Sequence, residues 1–163
     1  MTTFTRGTLA LLTLIPLTIA GCSGDKYAPV SGVVTLRGAP VAGATVVFTP
    51  NPAGEGTASA TAITDSDGTF RLQTNLPGGV TKSGAAPGTY KVTVSKFVPP
   101  GGLSEGDYAK KVEAEQAPNK PYSATSTVLP KVELIPKDYS NVSITKVDAT
   151  VVSGANEVKI VIP

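Results

Sequence analysis

The chain of 163 residues contains no histidine and a single cysteine, Cys22. Without an imidazole, neither a Ser-His-Asp triad nor a Cys-His pair can be assembled, since both need that base to take the nucleophile's proton. A histidine-ligated zinc site is excluded on the same ground. One cysteine cannot close an intrachain disulfide, so any domain here is held by packing alone. An excess of charge of either sign is also lacking. The 14 Lys and Arg stand against 12 Asp and Glu, mixed along the chain. No basic patch or arginine cluster interleaved with aromatics points to nucleic acid, and no glycine-rich phosphate loop precedes a helix. The expectation is a protein that is not an enzyme, binds no nucleic acid and carries no cofactor.

What is present starts at the amino terminus. Met1–Arg6 carries one positive charge, and Gly7–Ala20 is an uncharged run of 14 residues interrupted by Pro16. A basic start, a short apolar stretch and a small-residue exit have the layout of a secretory signal. A membrane-spanning helix needs about 20 apolar residues, more than this run supplies. The small residues of Ile19-Ala20-Gly21-Cys22 resemble the lipobox of bacterial lipoprotein signal peptides. That resemblance implies cleavage before Cys22, a thioether-linked diacylglycerol on its sulfur and usually an acyl chain on its amine. The leader is then residues 1–21, residues 22–29 form a lipidated tether, and the membrane is a partner through the lipid on Cys22. Ser23, rather than Asp, follows the cysteine. By likeness to enterobacterial sorting, this favours the outer membrane or cell surface over the inner membrane.

Loss of residues 1–21 would leave one domain's worth of chain. With 17 Gly and 14 Pro in the sequence, long helices are ruled out, and short stretches rich in Val, Thr and Ile fit an all-β domain. Residues 30–37 alternate so that Val30, Gly32, Val34 and Leu36 share a face. Gly38-Ala39-Pro40 supplies a turn. A second strand places Ala44, Val46 and Phe48 together. Ser59–Thr64 and Thr69–Thr74 read as a hairpin over Asp65-Ser66-Asp67-Gly68, with Phe70 and Leu72 inward. Asn51–Thr57 and Leu76–Pro87 read as loops. Residues 88–96 turn Tyr90, Val92 and Val94 inward. Val147–Val152 and Glu157–Ile162 read as a final hairpin over Ser153–Asn156, with Val158, Ile160 and Ile162 buried. About seven short strands of this kind make an antiparallel β-sandwich over residues 30–163. An insertion at about 99–127 interrupts it. Within it, Ser104–Gln116 can form a helix capped by Ser104 or Asp107, with Tyr108 and Val112 on one face, or a mobile loop.

Val30-Ser31-Gly32-Val33-Val34 with Gly38–Phe48 resembles the start of carboxypeptidase-regulatory-like domains. Thr64-Asp65-Ser66-Asp67-Gly68-Thr69-Phe70 and Gly88–Val94 look like that family's next two signatures. The resemblance implies a transthyretin-like (prealbumin-like) sandwich of seven strands. Ile135–Asn141 together with Gly154–Glu157 is similar to small lipoproteins of planctomycete-type bacteria. Such a family implies a fold and assigns little chemistry. The related hydroxyisourate hydrolases need catalytic histidines, which this chain lacks.

Two acidic clusters invite a metal or an acid pair. Asp65 and Asp67 have the opening spacing of a calcium loop, but position 12, where a bidentate Glu is required, is Leu76. A β-turn favours Asp and Gly at this place in any case. Asp107, Glu113 and Glu115 are interleaved with Lys110 and Lys111, the pattern of a solvated face. The reading is therefore a membrane-anchored lipoprotein of the cell envelope, its sandwich a structural or protein-interaction module. The alternative is a carbohydrate- or small-ligand-binding domain using the Asn51–Thr57 and Leu76–Pro87 loops. Envelope proteins or glycans are the candidate partners.

Overall fold

The computed structural model describes residues 26–52, 58–116 and 128–163. The expected leader, the lipobox-like stretch with Cys22, most of the Asn51–Thr57 segment and residues 117–127 lie outside the described residues. Two β-sheets pack face to face in an all-β sandwich. In chain order the strands are β1 (Val30–Leu36), β2 (Ala39–Pro40), β3 (Thr45–Pro50), β4 (Ala60–Ile63), β5 (Thr69–Arg71), β6 (Gln73–Leu76), β7 (Val80–Ser83) and β8 (Gly88–Ser95). The short β9 (Phe97–Val98), helix α1 (Glu105–Glu115), β10 (Val132–Glu133) and helix α2 (Lys137–Ser140) follow, then β11 (Asp148–Val151) and β12 (Asn156–Ile162). None of the described helices is long and apolar enough to cross a membrane.

The first sheet has β1 at its centre, with β12 on one side and β2 and β5 on the other. The second sheet runs β11-β8-β3-β4-β6-β7. The alternating positions face the interlayer as expected: Val34, Ala44, Val46, Phe48, Phe70, Leu72, Tyr90, Val92, Val94, Ile160 and Ile162 are all buried. Phe48 is the centre, its ring 6.4 Å from that of Phe70 and 5.9 Å from that of Tyr90, each tilted by 54°. Tilted pairs of this kind set the positive edge of one ring toward the negative face of the other. The Tyr90 hydroxyl donates to the Ala86 carbonyl at 2.6 Å, so the large side chain is buried without an unpaired polar atom. Gly32 makes room for the stack. A β-carbon there would lie 2.0 Å from the Val158 carbonyl oxygen and 2.6 Å from the Phe70 ring.

Several expected pairings are different. Thr69–Thr74 is not one strand of a hairpin. β4 does pair with β6, but β5 pairs with β1 in the opposite sheet. The chain changes sheets at Leu72, whose N–H donates to the Val30 carbonyl while its own carbonyl accepts from Gly84 N–H. Val147–Val152 and Glu157–Ile162 are not a hairpin either. β11 pairs with β8 in one sheet, and β12 pairs with β1 in the other, in parallel register from Val30↔Asn156 to Leu36↔Ile162. Every other strand pairing is antiparallel, as expected, and short segments bring the strands beyond the seven expected.

The turn-like residues before β12 close a crossing between layers, locked by one side chain. Asn156 accepts from Val152 N–H at 3.0 Å and donates to the carbonyls of Val152 and Gly154 at 2.9 and 2.8 Å. Leu76–Pro87 is not a loop, because it contains the β6–β7 hairpin. Pairing also begins before Val30, within the stretch expected to be tether. Ala28 is buried and exchanges both backbone hydrogen bonds with Ala85, at 2.8 and 3.0 Å.

Ser104–Gln116 forms a helix, with Ser104 as the cap: its hydroxyl accepts from Asp107 N–H at 3.1 Å. None of its residues is fully buried, which accords with the thin apolar stripe in the sequence.

Because the Phe48 ring is wholly enclosed, Phe48→Ala is expected to cost about 3–5 kcal/mol. Lys91→Ala removes a half-exposed ion pair to Asp148 and is expected to cost less than about 1 kcal/mol. Denaturant unfolding of a fragment lacking residues 1–22 measures both. Equal stability of the two variants would refute the placement of the core.

Candidate functional site

The strand registers give the sandwich two distinct ends. At one end lie Ala28 and Ala85, the starts of β1, β8 and β12, the end of β3 and the 152–155 crossing. At the other lie the ends of β1, β4, β8 and β12, the Asp65–Gly68 turn and everything inserted between β8 and Ile135.

The Asp65–Gly68 turn occupies the second end. Gly68 has φ +72°, its N–H donates to the Asp65 carbonyl at 3.0 Å, and its own carbonyl accepts from Val34 N–H at 2.9 Å. The Asp65 carboxylate folds back over the turn. It accepts from the N–H groups of Asp67 and Thr69 at 3.1 and 2.9 Å and from the Thr69 hydroxyl. The Thr69 hydroxyl is the largest influence holding this carboxyl below the ordinary range; slight burial opposes it, while the two backbone donors and Arg71 assist. Both oxygens of Asp65 are therefore engaged by the turn itself. No group of three or more metal-ligating side chains gathers among the described residues. Asp107 stands apart on α1, bonded to the Ser104 hydroxyl and 3.8 Å from Lys110.

A second arrangement at this end has no counterpart in the sequence reading. β9 and β10 form a two-stranded ribbon continuing from β8, and Glu133 fastens it to the sandwich. Its carboxylate accepts from the Ser95 hydroxyl, from Lys96 N–H at 2.8 Å and from Ile135 N–H at 3.0 Å. Burial pushes the Glu133 carboxyl up, but the Ser95 hydroxyl and the backbone N–H groups of Lys96, Ile135 and Leu134 together outweigh it and hold the group below its ordinary value. In the sequence Glu133 is one acid between Val132 and Leu134, with nothing to set it apart from a solvent-facing position. The ribbon it fixes presents Phe97, Val132 and Leu134 to solvent, and Leu129 precedes it, 67% exposed. Beside it Lys131 bridges to Glu105 of α1 at 2.6 Å and lies 5.5 Å over the Tyr108 ring, joining helix to ribbon.

At the Ala28 end, a shallow groove lies between the layers, lined by Pro29, Ser31, Arg71, Gln73, Ser83 and Asn156. Its side chains are neutral apart from Arg71, which suits neither acid–base chemistry nor metal binding. Of the two loops assigned to ligand binding by the alternative reading, residues 53–57 lie outside the described residues, and the other is the β6–β7 hairpin.

Residues 30–90 match a protein-family model described as Domain of unknown function (DUF6795). The match runs from the first residue of β1 to Tyr90 in β8 and covers less than half of the chain. No curated protein matches the chain, and no solved structure does.

Two outcomes are expected from these sites. Gly68→Val forces a β-branched residue into positive φ, with its β-carbon 2.7 Å from the Val34 carbonyl oxygen. It is expected to cost about 2–4 kcal/mol, while added calcium leaves the melting temperature of the parent unchanged. A rise with calcium would assign the turn to a metal.

For Glu133 the folded-state pKa lies below its ordinary value of 4.5. Its stabilisation is thus fully present above the unfolded pKa and is lost as pH falls through the folded one. The melting-temperature advantage of the parent over Glu133→Gln is expected to be constant from pH 7 to about 5 and to shrink at lower pH. An advantage independent of pH down to acid unfolding would refute this role.

Proposed function

We propose that this protein is a lipoprotein of the cell envelope, held to a membrane through lipid on Cys22, whose β-sandwich serves as a structural or protein-interaction module. The observation that carries this reading is the polarity of the sandwich. The chain enters it at Ala28, six residues after Cys22, while the exposed apolar ribbon and helix α1 stand at the opposite end. A tether of that length reaches at most about 20 Å. The Ala28 end is thereby kept at the membrane, and the β9–β10 ribbon is turned outward to where a neighbour can meet it. Phe97 is the kind of residue that anchors interfaces, a large ring 57% exposed on a short, well-fastened ribbon. The acyl chains supply the binding to membrane, at about 0.8 kcal/mol per buried methylene, and the protein surface is left to confer selectivity. The outer membrane or cell surface is the favoured location, from Ser23.

Mass spectrometry of the amino terminus of the native protein is expected to find a lipidated Cys22. Cys22→Ser is expected to abolish lipid attachment and yield an unprocessed or freely released chain. An unmodified thiol, or a mature chain starting elsewhere, would sink the lipoprotein reading. Phe97→Asp is expected to reduce crosslinking to envelope proteins in the native envelope without lowering the melting temperature.

A further inference from the structure

We infer that the tip of the β6–β7 hairpin, Leu76–Val80, is a second point of contact with the lipid surface, next to the lipidated end of the chain. This rests on the lipoprotein reading of Cys22. Ala28 pairs with Ala85, Gly84 N–H donates to the Leu72 carbonyl, and the Thr74 hydroxyl donates to the Gly84 carbonyl, so Ala28 stands level with Leu72–Thr74. From there β6 runs on away from the sandwich centre, past the level of Ala60, which pairs with Thr74. The two strand steps from Thr74 to Leu76, with the Pro77–Gly79 turn beyond them, carry the tip about 10 Å past Ala28.

The tether from Cys22 to Ala28 spans at most about 20 Å when fully extended. Drawn taut, it leaves the tip about 10 Å from the plane where the Cys22 lipid is attached. The headgroup layer on each side of a bilayer is itself about 5–7 Å deep. A tether a few ångströms short of full extension therefore lets the tip reach the headgroups.

The chemistry of the hairpin suits that position. Between Gln73 and Tyr90 there is no acidic residue, and Lys82 is exposed, so nothing there is repelled by anionic headgroups and one cation is attracted. Val80 is 48% exposed and pairs with Leu76 across the base of a turn made by Pro77-Gly78-Gly79. Gly78 and Gly79 both have positive φ, and the Thr81 hydroxyl donates to Asn75 Oδ1 at 3.0 Å across the strands, which stiffens the ribbon. An uncharged tip with Leu76, Pro77 and Val80 enters an interface without stripping water from a charge.

The chain has no tryptophan, so a single introduced indole reports on its own surroundings. The full-length protein, lipidated in a bacterial host, is reconstituted into phosphatidylethanolamine–phosphatidylglycerol vesicles with and without brominated acyl chains. Its amino terminus is checked by mass spectrometry in the same preparation. Val80→Trp is expected to shift its emission to the blue and lose intensity to the brominated chains. Pro77→Trp, at the turn itself, is expected to do the same and serves if the first variant fails to fold. Ile63→Trp, at the opposite end, is expected to emit as in water. Water-like emission from the tip variants of a lipidated protein would overturn the inference and leave the anchoring reading standing. Equal quenching at the tip and at Ile63 would also overturn it, since the sandwich would then lie flat. An amino terminus without lipid would overturn both.

Discussion

The architecture depends on how the chain passes between its two sheets at Leu72. One residue donates its N–H to the first sheet and offers its carbonyl to the second, while its side chain fills the space between them. With no disulfide available, backbone hydrogen bonds and apolar contact must join the layers. The consequences spread from there: β5 is placed against β1, which sets Phe70 over Gly32, which in turn completes the ring stack on Phe48. Thr74, two residues on, is buried but satisfied by Gly84. Buried Thr64 and Thr145 play the same part elsewhere, each hydroxyl donating to a backbone carbonyl. Every buried polar side-chain atom among the described residues has a partner. A core held only by packing tolerates buried polar groups on that condition.

The faces of the strands were legible in the sequence, and their partners much less so. Period-two alternation marks which residues go inward, and Val34, Val46, Phe48, Phe70, Leu72, Val92 and Ile160 all do. Alternation carries no information about which sheet a strand joins. Phe70, Leu72 and Thr74 keep one unbroken rhythm across the change of sheet, so the corner at Leu72 leaves no trace in the pattern. The stretch before β12 misleads for a related reason. Ser153-Gly154-Ala155-Asn156 has the composition of a hairpin turn, and an inter-layer crossing needs the same small and amide-bearing residues.

Legibility at the candidate site was lower still. Gly68 was readable because positive φ leaves few choices of residue. Glu133 was not, since its importance comes from backbone N–H groups at Lys96 and Ile135 that only the fold brings to it. Ala28, too, looks like tether until Ala85 arrives beside it. Apolar residues at 97, 132 and 134 could equally have been core. Glu133 turned onto the sandwich sends its neighbours Val132 and Leu134 the other way, into solvent, and Phe97, paired with Glu133, is exposed as well.

The parallel pairing of β1 with β12 bears on how the protein is made. Val30 finds its partner Asn156 only across 125 intervening residues, so the first sheet cannot close until the strand that Asn156 begins is available. Contacts of such long range make folding slow. On the secreted-lipoprotein reading, this slowness is useful. A chain threaded through a membrane must remain uncompacted until it has crossed, and here the strand that completes the first sheet emerges after the eleven before it.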